Sequence, residues 1–367
     1  MRVQRREKPR ECRAEVAAVH LSKGQISAKK GPRVNRRAFI TLVAAMPFAA
    51  AGCSSGKSSS SPVPSTSPST SPLPSRPASV KPLAWTQGPA LPVAVSEVGV
   101  ALLASKIHVL GGYVGGRAHS TTHQALDLTT MRWTMAAPLP AALDHVGTAV
   151  VDNRLLVVGG YGSSGSATTS LYRYDASRDS WGTARPLPVP RAAAAVAALN
   201  GRMHVVGGRT LSGNATRHYV YDPASDSWAM AAPMPTPRNH TAFAVVAGAL
   251  HVAGGRPGGL TVHEIYHPES DTWTVGAPLP VGRSSMAGAA LDGQFLVIGG
   301  EDAAETRTFA DVNSFDPSTG KWSALPSLPA GLQGIGAIVS DGAVYLPGGA
   351  PTAGGAQQTN QLLKLSR

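Results

Sequence analysis

The stretch Asp152-Asn153-Arg154-Leu155-Leu156-Val157-Val158-Gly159-Gly160, followed by Tyr174-Asp175 and then Trp181, decides the fold. Asp-Asn is turn chemistry, because both residues tolerate positive φ, so the flanking apolar runs meet there as a hairpin. The run before the turn is Thr148-Ala149-Val150-Val151 and the run after it is Leu155 to Val158. A third strand ends in Tyr174-Asp175, and a fourth carries Trp181 and leads into a Pro-rich segment. Four short strands in a row, each bounded by turn residues, describe one antiparallel sheet.

That unit repeats along the chain. Trp stands at 85, 133, 181, 228, 273 and 322, at spacings of 48, 48, 47, 45 and 49. A Gly doublet begins at 111, 159, 207, 254, 299 and 348, always 26 residues after a Trp. Periods of this length mark arrays in which each repeat is one supersecondary unit. Forty Gly and 30 Pro with only 15% charged residues agree with a turn-rich, all-β chain. The Gly doublet, the aromatic in the third strand and the Trp in the fourth resemble the Kelch repeat, and the likeness covers about residues 83–367. That resemblance implies a six-bladed β-propeller of four-stranded blades around a central channel.

The ring closes by arithmetic. The last doublet, Gly348-Gly349, is followed by one more strand near Gln361–Leu365, and the Trp85 strand precedes the first doublet. Pairing the two completes the sixth blade and covers an exposed edge. The Gly and Trp residues are therefore read as structural. So are Asp127, Asp175, Asp222 and Asp316, which recur in phase at turns.

Residues 1–82 read differently. Arg36-Arg37-Ala38-Phe39-Ile40 opens an apolar run that reaches Ala51, too short to span a bilayer. It resembles a twin-arginine signal, and Ala50-Ala51-Gly52-Cys53 resembles a lipobox, which implies acylation at Cys53 and removal of 1–52. Residues 53–82, rich in Ser and Pro, form an extended tether that cannot bury a core. The expectation is an extracytoplasmic, lipid-anchored, monomeric propeller.

The formal charge of +12 does not indicate nucleic acid. Residues 1–53 hold 12 Lys/Arg against 3 Asp/Glu, leaving 21 against 18 in the rest. The two cysteines, Cys12 and Cys53, both precede the repeats, which excludes disulfides and thiolate metal sites there. It also excludes the Cys–Tyr copper chemistry of galactose oxidase, which carries similar repeats. No cofactor motif is present. His119 with His123 and His263 with His267 have helical metal-site spacing, but on strands that spacing separates the rings by roughly 13 Å. No metal is expected from them.

In Kelch propellers ligands meet the face formed by the loops before the first strand and after the second. Lining up the repeats places three sets of residues there. Sixteen residues before each first Gly stand Val95, Leu143, Arg191, Arg238, Arg283 and Leu332. Two positions later come Glu97, His145, Ala193, His240, Ser285 and Gly334. Directly after each doublet come Tyr113, Tyr161, Arg209, Arg256, Glu301 and Ala350. Arg191, Arg209, Arg238, Arg256 and Arg283, all aimed at one mouth, would form a positive patch for a carboxylate, sulfate or phosphate. Tyr113 and Tyr161 suit stacking on a sugar or peptide, with His145 and His240 beside them.

Three functions follow as expectations: a binding module for a protein, peptide or glycan, a carbohydrate-active enzyme, or a wall scaffold. The enzyme would resemble the six-bladed Kelch sialic-acid mutarotase, with Glu301 as acid or base and Arg256 or Arg283 on the sugar carboxylate.

Overall fold

Each second strand reads as a continuous apolar run because both of its faces are covered. Leu155 to Val158 are all buried, whereas the innermost strand Gly147–Val151 alternates and the outermost, Ser180–Thr183, is largely exposed. This gradient runs outward from a central axis. The computed structural model describes residues 81–367, so the segment 1–52, Cys53 and nearly all of the tether at 53–82 lie outside the described residues.

Six four-stranded antiparallel sheets and three short two-stranded ribbons make up the regular structure of the described residues. Blade 1 is Gly99–Leu103, Lys106–Leu110, His123–Asp127 and Arg132–Met135, from the axis outward. Blade 2 runs from Gly147–Val151 to Ser180–Thr183, blade 3 from Ala195–Leu199 to Ser227–Ala231. Blade 4 runs from Ala242–Val246 to Thr272–Val275 and blade 5 from Ala287–Leu291 to Lys321–Leu325. The sixth is built from both ends of the repeats. Ile338–Ser340, Ala343–Pro347 and Leu362–Ser366 are completed by Ala84–Gln87, with Trp85 opposite Leu365. The one helical piece among the described residues is a short 3₁₀ turn, Ala353–Gly355.

The core is divided. Each apolar cluster spans two adjacent blades, for example Leu110, Leu139 and Leu143 with Leu155 and Val157 between blades 1 and 2. Leu346, Leu363 and Leu365 meet Leu296 and Ile298 between blades 5 and 6. No blade buries its faces alone, so each depends on both neighbours.

Three sets of hydrogen bonds tie neighbours together, and each runs round the whole ring. Every Trp indole N–H donates to a carbonyl of the preceding blade, as in Trp181 to Ala137 at 2.9 Å and Trp85 to Pro326 at 2.8 Å. The second Gly of every doublet donates its N–H to the next blade, as in Gly160 to the Arg191 carbonyl at 2.8 Å. The first Gly explains itself: Gly159 has φ 64°, and a Cβ there would stand 2.3 Å from that same carbonyl. A side chain is excluded both by the backbone angle and by the neighbour. The in-phase aspartates cap turns as expected, with Asp127 accepting from the N–H groups of Thr129 and Thr130.

Candidate functional site

The third ring of bonds builds the site. Glu97, His145, Ala193, His240, Ser285 and Gly334 occupy equivalent positions, and all six have φ between 51° and 59°. Each donates its main-chain N–H to the carbonyl of the equivalent residue one blade back, at 2.7 to 3.1 Å. The bonds run His145 to Glu97, Ala193 to His145, His240 to Ala193, Ser285 to His240, Gly334 to Ser285 and Glu97 to Gly334. This closed hexagon rims the central channel, a cavity of about 440 Å³ lined by the small residues of the innermost strands.

Side chains from the hexagon gather on one side. The ligating atoms of Glu97, His145 and His240 all lie within 4.8 Å of one another. His145 Nε2 stands 3.2 Å from a Glu97 carboxylate oxygen, and the His145 and His240 rings meet edge to face at 4.8 Å. Ala193, between them in the ring, is small enough to let them touch. The far nitrogen of each imidazole is also held. His145 Nδ1 donates to Asp144, which also accepts from His119, and His240 Nδ1 bonds the Asn239 side-chain oxygen. Tyr113 and Tyr161 pack edge-on against His145, at 5.5 and 5.3 Å.

Burial sets the protonation states. It raises the pKa of Glu97 and, for Tyr113, pushes the phenol up to about 12. Burial also holds His240 well below the usual imidazole range, helped by His145, Arg256 and Arg209. His145 goes the other way: burial opposes its charge, but Glu97 and Asp144 outweigh burial and raise it.

Beside the hexagon lies a polar cup of about 340 Å³, lined by Tyr161, Arg209, Asn214, Asn239, Arg256 and Glu305 among others. Arg256 is neutralised there, pairing with Glu301 and, at 3.0 Å, with Glu305. Arg209 is exposed and forms no ion pair or side-chain hydrogen bond within the described residues. Its guanidinium is the free charge of the cup.

The arginine patch expected from sequence is corrected. Arg191, Arg238 and Arg283 are at most 2% exposed and turn away from the mouth into the walls between blades. Arg238 pairs with Glu264 and donates to the Val252 carbonyl at 2.9 Å. Arg283 donates to Asn313 at 2.6 Å, and Arg191 stacks over Tyr219. The cause is the left-handed residue two positions on. It breaks the period-two alternation that would put both positions on one face. Val95, Leu143 and Leu332 fill the same buried column in the other blades. Glu301 is also fully buried, accepting from Arg256, from Ser285 at 2.9 Å and from the Gly354 N–H at 2.8 Å. It is a structural clasp with both oxygens engaged. Both His-x-x-x-His pairs are split: His123 bonds His108 inside blade 1 while His119 faces Asp144, and His263 bonds His251 while His267 meets Thr274.

Sequence reasoning gave no part to Asp144, Asn239 or Asn214. The signal was the repeated pair of an acceptor followed by His, Asp144-His145 and Asn239-His240, at one position of the repeat.

The KLHDC2/KLHL20/DRC7 Kelch-repeats domain matches residues 80–234 and 144–349. The chain belongs to the Kelch-repeat family. The Kelch ring is similar in fold to the solved structure of YjhT, with a TM-score of 0.66 at 18% identity, over 76% of this chain and 99% of that one. A search of curated proteins gave no significant match.

Proposed function

We propose that this Kelch propeller is an extracytoplasmic, lipid-anchored binding module that takes a polar ligand, a glycan or a peptide, into the cup beside the hexagon. The observation that carries the reading is the unpaired Arg209 in a cavity that Tyr161, Asn214 and Asn239 also line and where Arg256 and Glu305 neutralise each other. A planar cation, neutral amides and an aromatic edge suit a carboxylate-bearing sugar or a peptide carboxylate. The volume, about 340 Å³, fits one sugar unit or one peptide end. Binding requires no acid or base, which accords with Glu301 being fully engaged. The anchoring part of the reading is supported by Arg36-Arg37, the apolar run and Cys53.

A thermal-shift screen against anionic sugars, wall fragments and short peptides tests the cup. A hit that Arg209→Ala and Tyr161→Ala abolish supports the reading. A hit unaffected by both places the ligand elsewhere and overturns it. Anchoring is tested by expressing the full chain with Cys53→Ala, which is expected to move it from the membrane fraction to the soluble fraction. Unchanged membrane association would refute a lipid at Cys53.

A further inference from the structure

The hydrogen-bond directions at the hexagon can be followed to their end, and they turn two imidazole Nε2 atoms toward one carboxylate. The Arg256 carbonyl can only accept, so the Asn214 amide nitrogen, 3.2 Å away, donates to it. Asn214 therefore presents its oxygen to Asn239, whose amide nitrogen donates across 2.5 Å. Asn239 in turn presents its oxygen to His240 Nδ1, so that nitrogen carries the proton. In the neutral ring His240 Nε2 is then a bare acceptor, and it makes no hydrogen bond among the described residues. His145 is turned the same way. Its Nδ1 donates to Asp144, which leaves Nε2 as the nitrogen facing the Glu97 carboxylate at 3.2 Å, where a cation would displace the proton the two groups share.

Two imidazole Nε2 atoms and a carboxylate thus converge, with the other nitrogen of each ring already engaged. We propose that Glu97, His145 and His240 bind a divalent transition-metal cation of the zinc class, at the mouth of the central channel. Two histidines and one carboxylate are a borderline donor set that suits such an ion and leaves coordination positions open. The outer partners fit as well. Metal-bound histidines usually donate their second N–H to a carboxylate or amide oxygen, which fixes ring and tautomer, as Asp144 and Asn239 do here. The three ligand atoms lie within 4.8 Å of one another, so a small inward swing brings each to about 2.1 Å from a common centre. The backbone beneath them is fixed by the closed hexagon, which restricts how far the ligands can spread.

His240 and Asn239 also line the neighbouring cup, but the proposed ligands include neither Arg209 nor Tyr161, on which the cup's reading rests. Ala193 holds the equivalent ring position in blade 3 at φ 52°, so alanine is compatible with this backbone.

Untagged protein stripped with a chelator and desalted is titrated with Zn²⁺ by calorimetry. It is titrated separately with Co²⁺, followed by its visible absorption. One ion per chain is expected, with a Co²⁺ spectrum of nitrogen and oxygen ligation. His240→Ala and Glu97→Ala are expected to weaken binding at least ~100-fold, and Asn239→Ala about 10–100-fold through the lost tautomer lock. His267→Ala, a half-buried control in the third strand of blade 4, is expected to bind as the parent does. Absence of binding of either ion at about 1 mM would overturn the proposal, as would binding that His240→Ala leaves within threefold of the parent value. Melting curves of each variant separate loss of the site from loss of the fold.

Discussion

The main-chain N–H of Glu97 donates to the carbonyl of Gly334 at 2.7 Å, and this bond closes the hexagon at the seam between the first and the last repeat. Blade 6 is therefore joined to blade 1 at the mouth as well as through the Trp85 strand. The site and the closure of the ring share one framework.

Removing Ala84–Leu91 is expected to open that seam. It deletes the pairing of Trp85 with Leu365, the indole bond to Pro326 and the burial of Leu91, which is 2% exposed. The loss is on the order of 3–5 kcal/mol, which lowers the melting temperature by roughly 10 °C. Calorimetry checks it. Cooperative melting at the parent temperature would contradict the role assigned to this strand.

Glycine substitutions separate the doublets from other glycines. At Gly299 a Cβ would stand 2.4 Å from the Leu332 carbonyl, on a backbone with φ 63°. Gly299→Ala is expected to cost about 1–2 kcal/mol for the left-handed backbone, with the clash in addition. Gly182, in an outer strand with nothing within 4 Å of its Cβ position, takes alanine freely. Denaturant midpoints of the two variants should differ, with Gly182→Ala matching the parent.

The two classes of arginine predict opposite phenotypes. Arg238→Ala strands the buried Glu264 and is expected to cost about 3–5 kcal/mol. Removing both partners together should cost less than the sum of the single changes. Arg209→Ala leaves stability unchanged and affects only ligand binding. A destabilised Arg209 variant, or a fully stable Arg238 variant, would reverse the assignment of wall and cup.

Acid should weaken the ring before it protonates most carboxylates. His108–His123, His204–His218 and His251–His263 pair inside blades 1, 3 and 4 at 2.7, 2.8 and 3.0 Å. Burial is the first cause of the lowering in each. It brings His108, His204 and His263 to about 4 and His218 and His251 to about 3, and lowers His123. Asp179 near His108 and His123 and Asp271 near His218 oppose the shift, while Lys106, Arg202, His267 and Arg238 add to it at His108, His204, His251 and His263. The unfolded chain titrates near 6.5, so between that pH and about 4 it binds more protons than the native ring. The stability these pairs provide is complete above about pH 6.5 and is lost as the pH falls toward 4. Melting temperatures measured from pH 7.5 to 4.5 should fall steadily. A flat profile would rule the pairs out as the acid-sensitive element.

Most of the architecture was legible because it is periodic. Trp and Gly-Gly at constant offset reveal the blade, and the leftover Trp85 strand reveals how it closes. The side on which a residue points was harder to read. Arg191, Arg238 and Arg283 resemble a mouth-facing patch until the left-handed residue two positions on is known. That conformation leaves little trace in sequence when the residue is Ala, His or Ser instead of Gly. The same alignment did place Glu97, His145 and His240 in one column. Their convergence depends on the chirality of the ring and on the small Ala193 between the two histidines, neither of which a list of spacings conveys.

The seam in blade 6 also has a consequence in time. Thr86 and Lys364, 278 positions apart, lie in strands that pair with each other, so an early-made strand waits for a very late one. At about 5–20 residues per second, synthesis alone separates their appearance by many seconds. During that interval five blades can stack while the first and the last remain unjoined, with apolar edges facing solvent. Closure is thus a late step: until Leu362–Ser366 has been made, Ala84–Gln87 has no strand to pair with and blade 6 keeps an open edge.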